Sequence, residues 1–313
     1  MKTLVTGSIA YDTIMVFPDR FRNHLLPDQL HILNVCFLTP QMRREYGGTA
    51  GNIAYNLRLL GEDPLVMATV GEDVGPYLER LRGLRIGTEH LRRIPGQFTA
   101  QAFITTDLDD NQITAFHRGA MNFSHENHVT RALGATLSII SPDGKEGMLQ
   151  HARECAKEGI AFMFDPGQGL PMFSGEELRE FVKLAEYVAV NDYEGKLLEE
   201  RTGRTLDELA REVKALIYTM GAKGSAIIAG GQRHEIPCVE AQAVVDPTGC
   251  GDAYRAGLLY GISHGWDWPS TGKLGALMGA IKIAERGAQN HAPSRDEIEA
   301  RFRRSFGYTP WKG

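Results

Sequence analysis

Apolar and polar positions alternate along the chain with two periods, near 2 and near 3.6, and this divides it into short strands and amphipathic helices. Thr3–Gly7 reads as a buried strand, Gly51–Leu60 as a helix, Leu65–Val70 as a strand and Val74–Leu84 as a helix. Thr99–Thr106 and Gln112–His117 read as a hairpin around Asp107-Leu-Asp-Asp-Asn111, which is turn chemistry. Strands at Leu137–Ser141, Ile160–Asp165, Tyr187–Asn191 and Leu216–Thr219 then interleave with helices near 145–158, 174–184, 193–202 and 205–214. Such alternation predicts an α/β chain with a mostly parallel sheet covered on both faces. Residues 225–245 read as short antiparallel strands. Gly249–Gly265 and Gly272–Gly287 read as small-residue helices, and a last helix starts at Ser294 with Glu297 three residues on. Two stretches fall outside this rhythm. Residues 13–46, with an apolar patch at Ile32–Leu38, and residues 98–121 have β character; they are expected to pack together as a small β lid, or else to form edge strands of the main sheet. The core is then 1–12, 47–97 and 122–313.

Composition narrows the function. The 313 residues carry 34 Lys+Arg against 39 Asp+Glu, a formal charge of −5. Such a balance argues against holding nucleic acid by bulk electrostatics. The cysteines, Cys36, Cys155, Cys238 and Cys250, form no Cys-x-x-Cys pair and suggest neither a zinc site nor a disulfide framework. No apolar segment reaches membrane-spanning length and the start does not read as a signal peptide, so the expected location is the cytoplasm with no membrane partner. Glycine is the departure: 35 residues, above the usual ~7%, without a low-complexity tract.

Several of these glycines cluster before helices. In Gly47-Gly48-Thr49-Ala50-Gly51-Asn52, adjacent glycines let backbone approach a ligand, and Asn52 offers a donor and an acceptor to a hydroxyl-rich molecule. A tight turn with a packing face explains the same residues equally well. In Asp246-Pro-Thr248-Gly249-Cys250-Gly251-Asp252, the Gly-Cys-Gly run opens a helix whose N-terminal N–H groups form an anion site. Asp252 is either a capping residue or a carboxylate placed to take the proton of an attacking hydroxyl. An anion hole beside such a base suits phosphoryl transfer. The chain has no Gly-x-x-x-x-Gly-Lys-Ser/Thr and no Gly-x-Gly-x-x-Gly, so the commonest nucleotide loops are missing. Thr219-Met-Gly221-Ala-Lys223-Gly224 follows a strand and reads as a nucleotide-contacting turn or a plain hairpin turn. Asn191-Asp192-Tyr193-Glu194 closes a strand, where ligands of open α/β sheets bind. Its Asn and Glu could hold Mg²⁺ through waters, or simply start a helix.

Together these motifs resemble the PfkB, or ribokinase-like, carbohydrate and nucleoside kinases. Val245–Gly257 is similar to the family's C-terminal signature and Gly47–Ala54 to its N-terminal one. Gly7-Ser-Ile-Ala-Tyr-Asp12 resembles its opening, and Arg286-Gly287-Ala288-Gln289 its closing loop. The motifs stand in the family's order from about residue 3 to 300. The resemblance implies a three-layer α/β/α core with a small β-sheet lid, and ATP-dependent phosphorylation of a primary alcohol. Asp252 would be the base, with Gly249, Cys250 and Gly251 supplying the anion hole. Asp12, Gly48 and Asn52 would hold the ribose. Asn191 and Glu194 would organise Mg²⁺ and the phosphates, and Thr219, Gly221 and Gly224 would line the nucleotide. Asp246, Thr248 and the loop at Gly287 match a monovalent cation site, usually K⁺. Cys250 beside the base predicts sensitivity to thiol reagents.

Specificity is written less plainly. Apart from Arg43 and Arg44, no basic cluster lies near Asp12 to receive a phosphorylated sugar. The segments Asp110–Met121 and Phe164–Gln168 resemble those of bacterial and archaeal nucleoside and adenosine kinases. Phe116 and Met121 would wall a purine base, with lid packing as the plainer role for both. Gln168 would bond the base edge or the ribose. The expected acceptor is a nucleoside, adenosine first; a ribokinase or other sugar kinase is second, and a non-catalytic sugar- or nucleoside-binding protein the alternative of a different class. The expected assembly is a monomer, or a homodimer through the lid.

Overall fold

A computed structural model describes residues 2–25, 34–109, 111–131 and 134–311. The main sheet has nine strands. At its centre β1 (Lys2–Thr6) is bordered on one side by β4 (Leu65–Val70) and β5 (Leu91–Arg93). On the other side follow β8 (Ala135–Ile140), β9 (Ala161–Phe164), β10 (Tyr187–Asn191), β11 (Ala215–Thr219), β12 (Ser225–Ala229) and β13 (Gln232–Ile236). Its pairs are parallel except β11–β12 and β12–β13. Strands covered on both faces need apolar side chains on both, and β4 is buried at every position. One face packs on α1 (Thr49–Leu59), α2 (Gly75–Gly83), α7 (Cys250–Ser263), α8 (Trp268–Lys282) and α9 (Arg295–Phe306). The opposite face packs on α3 (Lys145–Lys157), α4 (Gly175–Leu184), α5 (Asp192–Thr202) and α6 (Leu206–Leu209). The three-layer core is therefore present.

A separate four-stranded sheet has the order β3 (Gln41–Gly47), β2 (Ala10–Val16), β6 (Ala100–Thr106), β7 (Gln112–His117). Strand β2 begins at Ala10, so the boundary expected at residue 13 falls inside it and Asp12 belongs to the small sheet. The apolar patch at Ile32–Leu38 lies partly outside the described residues. Its described end, Leu38, is 80% exposed.

Two helices differ from their expected extents, the strands expected over 225–245 end at Ile236, and one strand, β5, is not expected at all. The helix expected at 205–214 stops at Leu209, because the Lys214 N–H donates to the Glu186 carbonyl (2.8 Å) and draws the chain into β11. Helix α8 runs one turn earlier than expected. Asp267 caps it by accepting from the Ser270 N–H at 2.7 Å, with Pro269 in the first turn. Strand β5 has only three residues, too few for a pattern to show. Among the described residues, no helix is long and apolar enough to cross a membrane.

Candidate active site

Five strand ends converge on one cavity. Ser8, Pro142, Asp165, Asn191 and Thr219 close or follow β1, β8, β9, β10 and β11, and all five line a cavity of 590 Å³. This is the carboxyl edge of the sheet, where backbone leaves the ladder and helix N-termini point back. Expected residues that line the cavity are Asp12, Gly48, Asn52, Phe116, Gln168, Asn191, Glu194, Thr219, Gly221, Thr248, Gly249, Gly251 and Asp252.

The small sheet closes one side. Registered side by side across it are Glu45, Asp12, Ala102 and Phe116, on β3, β2, β6 and β7. Neighbours in one such row share a face. Asp12 and Phe116 are two strands apart, about 10 Å, with small Ala102 between them. Burial, with Glu45 and Asp246 nearby, pushes the Asp12 carboxyl up to about 6. A Cβ on Gly47 would sit 2.6 Å from an Asp12 carboxylate oxygen, so glycine there leaves that carboxylate room. Gly48 starts α1 with φ +84°, and a Cβ on it would strike the Ser8 carbonyl oxygen at 2.5 Å. Met121 is not brought to the cavity. It is buried beside Ala10 and Ala100, held there by the 3₁₀ stretch Gly119–Glu126.

Helix α7 brings its N-terminus to the cavity floor. Gly249 turns the chain with φ +79°, and a Cβ would come within 2.8 Å of the Ala288 side chain. In the first helical turn, Asp252 accepts from Asn52 Nδ2 at 2.8 Å. Asn52 in turn accepts from Gln289 Nε2 at 3.0 Å, and the same Nε2 reaches the Tyr77 hydroxyl at 2.7 Å. Burial is the main reason the Asp252 carboxyl is pushed up to about 7. The Asn52 bond opposes the rise, and the Asp165 charge adds to it. A carboxylate with this value at a helix N-terminus can accept a proton near neutral pH while N–H groups face an anion.

The expected anion-hole residues separate. Gly249 and Gly251 line the cavity, whereas the Cys250 N–H donates to the Pro247 carbonyl at 3.1 Å and so serves the turn. Burial also pushes the Cys250 thiol up to about 11. A thiol at that value is almost wholly protonated at neutral pH, which works against the expected reagent sensitivity.

Two charged residues that the motifs did not single out, Arg255 and Asp165, line the cavity floor. Arg255, one turn beyond Asp252, is buried and bonds Asp165 at 3.0 Å, with Glu194 at 3.9 Å. Glu194 and Asn191 form a capping box for α5. The Asn191 side chain accepts from the Glu194 N–H (2.8 Å), and Glu194 accepts from the Asn191 N–H (2.9 Å). Burial raises the Glu194 carboxyl and Arg255 opposes the rise. The helix-start role of Asn191 thus holds, and it leaves both side chains on the cavity wall.

A second cavity of 440 Å³ adjoins the first. The two share Thr219, Gly221, Gly251 and Arg255. Gly224 and Cys250 line only the second, which is mainly apolar, with Val239, Val244 and Ile283 in its wall. A chamber of mixed polarity and an apolar one, meeting at a helix N-terminus, can hold two substrates with a phosphate chain between them.

The residues expected to hold a monovalent cation are engaged differently. The Asp246 carboxylate accepts from the Thr248 N–H at 2.9 Å and the Gly287 N–H at 2.8 Å. The Asp246 main-chain carbonyl accepts from Lys282 Nζ at 2.7 Å, and Nζ also donates to the Glu285 carbonyl at 3.0 Å. A protein cation already stands between these loops, so the set does not fit a bound K⁺. Among the described residues no group of three or more His, Cys, Asp or Glu surrounds a point; Asn191 and Glu194 line the cavity wall, where a carboxylate and an amide could reach waters on a Mg²⁺ ion.

With this geometry in place, comparison with known proteins is decisive for the family. The model for "pfkB family carbohydrate kinase" matches residues 16–295. The chain belongs to the PfkB family. It is accordingly a phosphotransferase acting on a hydroxyl group. A curated relative, the nucleoside kinase of Methanocaldococcus jannaschii, is 32% identical over 274 residues, covering 86% of this chain and 89% of its own. The structure of Burkholderia thailandensis nucleoside kinase in complex with inosine is similar at TM-score 0.90 and 54% identity, covering 99% of this chain and 100% of the other. The same enzyme in complex with ADP-inosine matches at TM-score 0.88 and 55% identity, over 99% of this chain and 98% of the other.

Proposed function

We propose that this kinase transfers the γ-phosphoryl of ATP to the 5′-hydroxyl of a purine nucleoside, adenosine first. The observation that carries the reading is Asp252, bonded to Asn52 at the N-terminus of α7, where the two chambers meet. Asp252 takes the proton of the 5′-hydroxyl as the oxygen attacks, while Gly249 and Gly251 N–H groups face the charge on the phosphoryl in transit. ATP lies with its base in the apolar chamber, along Thr219, Gly221 and Gly224. Asn191 and Glu194 would hold Mg²⁺ through waters, and the ion would supply charge neutralisation to the phosphates.

The nucleoside lies under the small sheet. Asp12, Gly48 and Asn52 take the ribose, Gln168 reaches base edge or ribose, and Phe116 walls the base. The span of about 10 Å from Asp12 to Phe116 suits a ribose plus an attached base better than a lone sugar. The inosine complexes of the similar Burkholderia enzyme support a purine acceptor. Homodimerisation through the small sheet has its support in Met42, Phe103 and Ile113, apolar, 69%, 41% and 44% exposed. All three register on the face away from Asp12 and Ala102.

The test is kcat/KM for adenosine, inosine, guanosine, cytidine, ribose, fructose and fructose 6-phosphate with ATP and Mg²⁺. The purine nucleosides should lead; a lead for ribose or fructose would overturn the assignment. Within that panel, Asp12→Ala should raise the adenosine KM by about 10–100-fold, because a hydrogen bond to a charged group is worth about 1.5–3 kcal/mol. An unchanged KM would remove Asp12 from the ribose site.

A further inference from the structure

Lys282 is the last residue of α8 and has no exposed surface. A buried ammonium needs acceptors, and it finds main-chain ones: the carbonyls of Asp246 and Glu285. Three further bonds lock the two loops to each other. Val245 and Asp246 N–H groups donate to the Ile283 carbonyl at 2.9 and 3.1 Å, and Gly287 donates to the Asp246 carboxylate. One loop leads within three residues to Gly249 and the anion end of α7. The other leads to Gln289, which holds Asn52 and through it Asp252. Burial alone would raise the Asp246 carboxyl; the Thr248 and Gly287 N–H groups and the Lys282 charge outweigh it and hold it low.

We propose that the Lys282 ammonium is a built-in substitute for a dissociable monovalent cation, so that this enzyme works without K⁺. An inorganic ion must exchange its water shell for several protein oxygens. Here the main-chain carbonyls of Asp246 and Glu285 are taken by Nζ, and Lys282 is itself fully buried. A second cation within a few ångströms would also meet an unscreened like charge, which is strongly unfavourable in a buried setting. The tethered charge does what a bound ion would do at this position: it fixes the loop carrying Gly249 and adds a positive field behind the anion hole. Unlike an ion, it cannot be diluted away.

The inference rests on the phosphoryl-transfer reading for its activity readout only; melting temperature gives an independent one. Initial rates with ATP, Mg²⁺ and adenosine would be compared in KCl and in tetramethylammonium chloride at equal ionic strength, together with melting temperatures in both salts. The parent enzyme should show the same rate and the same melting temperature in the two. Lys282→Met should lose kcat in tetramethylammonium by at most the about 10²–10³-fold that removing a donor in direct contact with the oxyanion costs, since Lys282 acts one layer behind it. K⁺ should recover part of that rate and raise the variant's melting temperature, as a ligand of the folded state does. A parent enzyme whose rate rises several-fold with K⁺ would overturn the proposal, whether or not the variant folds. So would a folded Lys282→Met indifferent to K⁺, since that marks a plain structural strap. If no nucleoside is phosphorylated in either salt, the functional reading fails, and the two melting comparisons still decide the cation question.

Discussion

Asp252→Asn is expected to lower kcat by about 10²–10⁴-fold, the usual contribution of a positioned general base. Nucleoside KM should change little, because the amide keeps an oxygen for the Asn52 Nδ2 donor, and Asp12 and Gly48, the residues proposed for the ribose, are untouched. The loss should not come from unfolding. The Asp252 carboxyl is raised from its ordinary value to about 7 in the fold, so its ionised form is disfavoured there. With a raised carboxyl, folding stability from this group is present at low pH and is lost as pH rises through about 7. Asparagine removes that penalty, so the variant should melt no lower than the parent at pH 8. The same raised value sets the parent's pH profile. Its kcat/KM should fall as pH drops through about 7, where Asp252 gains a proton. Near-parental turnover in Asp252→Asn would take the base role away from this residue.

Arg255→Met is expected to have the second large effect, on stability as well as rate. The Arg255 and Asp165 side chains are 5% and 6% exposed, and Glu194 is 3.9 Å from the guanidinium. Deleting the cation leaves two buried carboxylates facing one another without a counter-charge. Breaking a buried pair by removing one partner typically destabilises by about 3–5 kcal/mol. A melting temperature several degrees lower should follow at neutral pH. The loss should shrink at acid pH, where Glu194, whose carboxyl is raised by burial, takes up a proton. Turnover should fall too, since Arg255 lines both chambers at their junction. An Arg255→Met protein that melts like the parent and keeps its rate would show that the cluster is neither a structural nor an electrostatic support of the floor.

The contrast between Asp252 and Arg255 shows what a linear sequence can carry. Asp252 was legible because its chemistry is local: the turn at Gly249, the helix start and the carboxylate lie within four residues. The same holds for Gly48 before α1 and for the Asn191–Glu194 capping box. Strand and helix order was legible because burial on both faces forces long apolar strands and amphipathic helices. Arg255 pairs with a residue 90 positions away, Gln289 bonds Asn52 across 237, and Lys282 reaches Asp246 across 36. No local pattern states such pairings. One signal was present for Arg255: it is the lone cation of a helical stretch that is mostly apolar and small, and such a residue must find acceptors inside. Met121 misled for the converse reason. A flexible apolar side chain serves packing and ligand walls alike, and only the backbone path after β7 decides between them. Cys250 was counted among the anion-hole donors because it stands between two glycines that line the cavity, but its N–H closes the turn onto Pro247.

The most direct test of the central claim is a ³¹P NMR time course of the protein with ATP, Mg²⁺ and adenosine. The account predicts a resonance of adenosine 5′-monophosphate growing in step with ADP. It also predicts that 5′-deoxyadenosine, which binds but lacks the accepting hydroxyl, yields no new phosphate ester. ADP accompanied only by inorganic phosphate, or a phosphate ester formed at the 2′ or 3′ position, would contradict it.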